Sequence, residues 1–215
     1  MITKIPMEGG SSPFDAWKGC GVSSYVVYET RSERRMPEFD TLRNRPDIPK
    51  DFDIDKMLQT MGVDAKTGMM SHVLTNRTQL VEISADSLVI EVEVASNLPA
   101  GFGSEKHRVT IPAQEPPAEE VRTVVEDAPD GHAEVTCTRF SAMTPTKPPT
   151  TSQETLTVAG RTLVCQVTES WLRLQDREMY FKRWTSPEVP GLLVRHEMKT
   201  DDQSQLMIVT SFEKK

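Results

Sequence analysis

The last quarter of the chain, Gln153 to Phe212, reads as five β-strands laid down in order, joined by tight turns and sharing one apolar face. Leu156 and Val158 alternate with polar neighbours, and so do Leu163, Cys165 and Val167 after Ala159-Gly160. Side chains two apart on a strand share a face, and a small residue plus Gly between two such runs is a hairpin signal. Met179 to Trp184 makes a third strand with aromatics on both faces. Pro190-Gly191 suits the two central positions of a type II turn, where Pro presets φ and Gly takes the positive value. Leu192, Val194, His196 and Met198 then share one face, and Leu206, Ile208, Thr210 and Phe212 share the face of the last strand. A lone meander of this kind would leave a wide apolar surface wet, so it requires something folded over it.

The rest of the chain offers candidates for that cover. Trp17 to Gly21 leads into a β-branched and aromatic run from Val22 to Thr30, a first strand. Ile54, Met57, Leu58 and Met61 recur at helical spacing, with Asp53 placed as N-cap and Gly62 as the C-terminal stop. Met69 to Ile83 and Leu88 to Ala95 read as strands, and Val109 with Ile111 marks a short one. Val121–Val125 and Ala133–Cys137 flank Pro129-Asp130-Gly131, a hairpin signal. Residues 1–16 read as an irregular lead-in and 36–52 as loop. Ser141 to Ser152, with Pro145, Pro148 and Pro149, reads as a long loop. The expected fold is therefore mainly β with a minor α component. It is a strongly curved antiparallel sheet, a half-barrel, cupping one or two short helices with the segment around Met57 and Leu58 inside. Residues 17–215 form one domain on this reading, and a split near residue 145 is the alternative.

Composition narrows the function classes. A chain of 215 residues can bury one substantial core, and a net charge of −7 exerts no pull on nucleic acid or anionic membrane. No run approaches the roughly 18 apolar residues of a membrane span. The N-terminus lacks the apolar stretch of a secretory signal, which gives a cytoplasmic expectation, or a periplasmic or exported one where a signal has been removed. Three widely spaced cysteines, Cys20, Cys137 and Cys165, do not make a disulfide framework. His72, His107, His132 and His196 show no metal spacing, and no CxxC pair occurs. Gly101-Phe102-Gly103-Ser104 lacks the third glycine and the helix of a dinucleotide loop. No cofactor, metal or catalytic residue is therefore expected.

Two stretches carry a resemblance. Trp17-Lys-Gly-Cys-Gly-Val22 opens the first strand, and Val158-Ala-Gly-Arg-Thr-Leu-Val-Cys165 is followed by Trp184-Thr-Ser-Pro-Glu-Val-Pro-Gly191. Together they resemble uncharacterised bacterial proteins that look similar to the lipoprotein-carrier (LolA/LppX-like) fold, a curved antiparallel sheet cupping helices over an apolar cavity. The resemblance implies binding of acyl chains. It transfers no binding residues, because the matching positions are turn formers and core residues.

The expected function is non-enzymatic binding of an apolar, lipid-like ligand or a partner on the concave face. Met57, Leu58, Met61, Met179, His196 and Met198 are its candidate pocket, since methionines suit adaptable apolar sites. The alternatives are an interaction module without ligand, homodimeric through a sheet edge, and an enzyme in which His196 or Cys165 lines an open pocket.

Overall fold

The computed structural model describes residues 12–36, 39–43, 52–96, 105–114, 144–174 and 176–215. Their elements are, in order, α1 (Pro13–Trp17), β1 (Tyr25–Arg35), α2 (Phe39–Arg43), α3 (Ile54–Thr60), β2 (Met69–Ile83), β3 (Ser87–Ser96), β4 (Glu105–Pro112), β5 (Thr144–Val158), β6 (Arg161–Leu174), β7 (Arg177–Thr185), β8 (Leu193–Lys199) and β9 (Gln203–Glu213). All nine strands join one antiparallel sheet in the order β4-β3-β2-β1-β9-β8-β7-β6-β5. The C-terminal meander is complete, and the first strand docks on the last, so the sheet takes strands from both sides of residue 145. The hairpin expected around Pro129-Asp130-Gly131, with Cys137, lies outside the described residues.

The sheet is open and strongly curved. In a flat sheet β5 and β9, four strands apart, would stand about 19 Å from each other; here their Cα atoms approach within 8 Å. The cause is visible in the pairing. Before Gln166, β6 pairs with β5 alone, and a two-stranded ribbon twists more than a wider sheet. The free hairpin swings in and lays Arg161 over the ring of Phe212, 4.8 Å from its centroid.

Directly paired residues share a face, which assigns every strand position. On one face Val26, Leu80, Leu88, Val209 and Phe212 form the core together with Phe14, Ala16 and Trp17 of α1. The opposite face of β1–β4 carries Tyr25, Arg77, Glu91, Glu93, Lys106 and Arg108 and is charged. Buried Leu163, Cys165 and Val167 line up with Trp184, and Trp184 with Arg195, whereas His196 alternates with Arg195. The buried side thus changes over between β7 and β8, beside the register shift at Trp184/Thr185.

Local turn chemistry follows the sequence closely. Ala159 and Gly160 both take positive φ, +50° and +72°, as a type I′ hairpin requires. Leu192 N–H donates to the Val189 carbonyl (2.9 Å) across Pro190-Gly191, and Gly191 has φ +76°. That turn is also docked: Gly191 N–H donates to Ala16 O (3.2 Å), and a Cβ on Gly191 would stand 3.3 Å from the Trp17 indole. Asp53 caps α3 by accepting from Lys56 N–H (2.9 Å), and Gly62 follows the helix at φ +73°.

Four expectations are corrected. The lead-in is not irregular throughout, because Pro13–Trp17 is helical, with Ser12 Oγ accepting from Asp15 N–H (3.0 Å). This short α1, not the helix at Met57 and Leu58, covers the main core. Leu58 instead packs with Phe39, Val63, Met36, Leu42, Ile54, Met57 and Met70 in a separate cluster, and Phe39 belongs to α2, inside a stretch expected to be loop. The Pro-rich stretch from Thr144 is strand β5. Among the described residues it pairs on one side only, with β6, so missing donors on its other side cost little. Its register slips between Pro145 and Lys147 and again between Lys147 and Thr150.

Candidate ligand-binding face

The α1 core and the α2–α3 cluster both rest on the same face of the sheet. α1 packs near Val26 and Leu80 at one end of β1 and β2. The α2–α3 cluster holds Met36 and Met70 at the other end, where Met70 pairs with Arg34. Between them run two rows of side chains across six strands. The first is Thr168, Arg183, His196, Met207, Thr30 and Leu74. The second is Ser170, Phe181, Met198, Gln205, Ser32 and His72. Rows on one face are two residues apart, about 7 Å along a strand. The residues of these two rows belong to neither hydrophobic cluster.

The polar groups in this strip are buried and poorly satisfied. Thr30, Ser32 and His196 are 2%, 3% and 2% exposed. Ser32 Oγ accepts from Gln205 Nε2 (3.3 Å), but Thr30 Oγ1 and both ring nitrogens of His196 have no hydrogen-bond partner among the described residues. An unmade hydrogen bond on a buried polar atom costs about 1–3 kcal/mol, so three such atoms in one row of the sheet are a standing expense of the fold. The ring of Phe181 stacks on His196 at 5.9 Å and 11°. Burial, and then the neighbouring Arg183 guanidinium, push the His196 pKa down to about 4 against a weaker upward pull from Glu197. Burial also lowers the pKa of Arg183 itself.

The six candidate pocket residues do not converge. Met57 and Leu58 lie in the α2–α3 cluster, and Met61 at the end of α3 is 47% exposed. Met179, His196 and Met198 do share a face on β7 and β8, with Met179 one row beyond Phe181. Arg183, Thr30, Ser32, Gln205 and Met207 were not singled out from the sequence. The signal for Arg183 was available: in Met179-Tyr-Phe-Lys-Arg183 it alternates in register with Met179 and Phe181.

Two other clusters are self-satisfied. On the opposite face Lys182 bridges Glu154 (2.9 Å) and Glu169 (3.0 Å), and Trp184 Nε1 donates to Glu154 (2.7 Å). A shallow polar depression lined by Arg77, Gln79, Glu91, Glu93 and Lys106 is internally paired, with Lys106 on both glutamates. Cys165 is fully buried, its thiol pushed up by burial first, and it lies on the face opposite His196.

Among the described residues no helix is long and apolar enough to cross a membrane. No family model matches the chain, and no curated protein matches it. One solved structure is similar, that of a "putative lipoprotein" from Parabacteroides distasonis, with 12% identity and a TM-score of 0.38 over 95% of this chain and 100% of that one. A likeness of that size carries neither fold nor role across.

Proposed function

We propose that the protein is a non-enzymatic binding protein that holds an apolar, lipid-like ligand on the strip of sheet between α1 and the α2–α3 cluster. The observation that carries this reading is the set of side chains there. Phe181, Met198, Met207 and Leu74 are large, apolar and partly covered, yet they belong to neither core cluster. Buried orphan atoms on Thr30 and His196 lie among them. A packed core has little reason to leave both features in one place, whereas a binding face gains from polar groups set in an apolar lining. A lipid-carrier role accords with the same geometry. A catalytic role is disfavoured, because Cys165 is sealed in the core and, among the described residues, His196 is bonded to neither an acid to orient it nor a nucleophile to activate.

The test is saturable binding of the uncharged apolar dye N-phenyl-1-naphthylamine, alongside native mass spectrometry and lipid extraction of purified protein. Stoichiometric dye binding weakened by Met198→Asn supports the reading. No saturable dye binding and no co-purifying lipid would sink it.

A second reading, homodimerisation through a sheet edge, has one observation in its favour. Among the described residues β4 pairs on one side only, with β3, and unlike β5 it carries no proline within its length before Pro112. A concentration-independent monomer in analytical ultracentrifugation would exclude it.

A further inference from the structure

We infer that the ligand is an amphiphile with an anionic head, a carboxylate or a phosphate, and that Arg183 holds that head beside His196. This inference rests on the binding reading above and narrows it.

The argument starts from the distribution of acids. On β1 and β6–β9 the pairing register places Glu29, Glu33, Glu169, Glu178, Glu197 and Glu213 all on the face opposite Arg183. Three cations of that opposite face have acids there: Lys182 with Glu154 and Glu169, Arg195 with Glu197, and Arg31 with Glu29. Arg183 has no such match. It makes no ion pair or hydrogen bond with a described residue, although it is partly buried and its charge is disfavoured by burial. A desolvated guanidinium without a counter-ion is costly, and it is the side chain best shaped to hold a carboxylate or phosphate through two parallel N–H donors.

Its neighbour on β8 adds a donor. His196 stands directly opposite, with neither ring nitrogen bonded to a described residue. As a neutral ring His196 donates one N–H beside the guanidinium, where an anion needs it. Phe181, Met198 and Met207 beside them are the start of an apolar path for a chain. An inorganic anion would leave that path unused, which argues for head and tail together.

The experiment compares cis-parinaric acid with its methyl ester, by fluorescence titration of the full chain at pH 7.5, in wild type, Arg183→Gln and Arg183→Lys. Loss of charge-assisted hydrogen bonds worth about 1.5–3 kcal/mol corresponds to roughly 10- to 100-fold in affinity. The acid should therefore bind wild type at least about 10-fold tighter than the ester, and Arg183→Gln should remove that preference while leaving ester binding in place. Arg183→Lys should keep part of it. Equal affinity of wild type for acid and ester overturns the head-group assignment and leaves apolar binding standing. If neither probe binds, the binding reading itself falls. Displacement of the acid by inorganic phosphate or acetate at equal concentration would mean a free-anion site and would overturn the amphiphile. The wild-type comparison decides the matter even if Arg183→Gln does not fold, which circular dichroism reports.

Discussion

The indole Nε1 of Trp184 donates to Glu154 Oε2 at 2.7 Å, tying the C-terminal end of β7 to strand β5 across β6. Trp184 is 3% exposed and carries Lys182 and Arg195 over its ring at 4.9 and 4.8 Å. The same carboxylate takes Lys182 on its other oxygen. The Trp184 bond and then the Lys182 bond hold the Glu154 pKa below the ordinary carboxylate range. Among the described residues β5 has no other neighbour in the sheet, so this bond is part of what keeps a proline-bearing edge in place.

Trp184→Phe should therefore destabilise by about 1–3 kcal/mol, combining a lost hydrogen bond to a charged acceptor with a partial cavity. Glu154→Gln keeps an acceptor for the indole and should cost less than Glu154→Leu. Urea denaturation of the three variants checks the order. Equal losses for Gln and Leu would mean that the bond contributes nothing.

Gly68 lies between α3 and β2 with φ +70°, and a Cβ there would stand 2.5 Å from Phe39 Cγ. Gly68→Ala combines a left-handed backbone, unfavourable for other residues by about 1–2 kcal/mol, with a clash against the ring that anchors α2. It should lower stability by more than 1 kcal/mol and raise amide exchange across 54–63, leaving exchange in β6 and β7 unchanged. Uniform loosening of the whole sheet would show that the α2–α3 cluster is not the separate unit described above.

Ala159 takes φ +50° at the first position of the β5–β6 turn, a value Ala adopts with strain and Asn adopts readily. Ala159→Asn should raise stability by about 0.5–1 kcal/mol, read as an increase in the midpoint of thermal unfolding. A decrease would mean that the turn relaxes away from the type I′ form.

The residues that could be read from the sequence are those whose role is set within a few neighbours. Asp53 and Gly62 announce α3, Ala159-Gly160 announces a hairpin, and Pro190-Gly191 a tight turn, because capping and positive φ are local matters. The meander followed from alternation for the same reason. What was misread depends on distant partners. Pro13–Trp17 is a single helical turn with no periodicity to detect, and it earns its place only by meeting Gly191 and the core. The prolines of β5 look like linker until the strand is known to lie at an edge. The strip itself was half legible: His196 and Met198 emerged from alternation on β8. Arg183 was legible in the same way, alternating with Met179 and Phe181 on β7, but Thr30 was not, since it joins the row only through β1 pairing with β9, and β9 with β8, across most of the chain.

His196 gives a pH signature that separates it from the described carboxylates with lowered pKa values. Its pKa in the folded chain falls to about 4 from an ordinary 6.5, through burial first and the field of Arg183 second. The unfolded chain therefore binds a proton that the folded chain refuses, and stability rises with pH across that interval. The contribution is full above about pH 6.5 and is lost as pH falls toward 4; a shift of this size amounts to about 3 kcal/mol. Glu154, Glu197 and Asp202 have lowered values too, but their unfolded pKa values lie near 4, so their effect falls below about pH 4.5. Among the described groups with a shifted pKa, the window from 5 to 6.5 belongs to His196. Stability measured by urea melts through that window should slope upward in wild type and flatten in His196→Gln. Arg183→Gln should reduce the slope by removing the repulsion. An unchanged slope in His196→Gln would assign the titration elsewhere and take away the electrostatic link between the two residues.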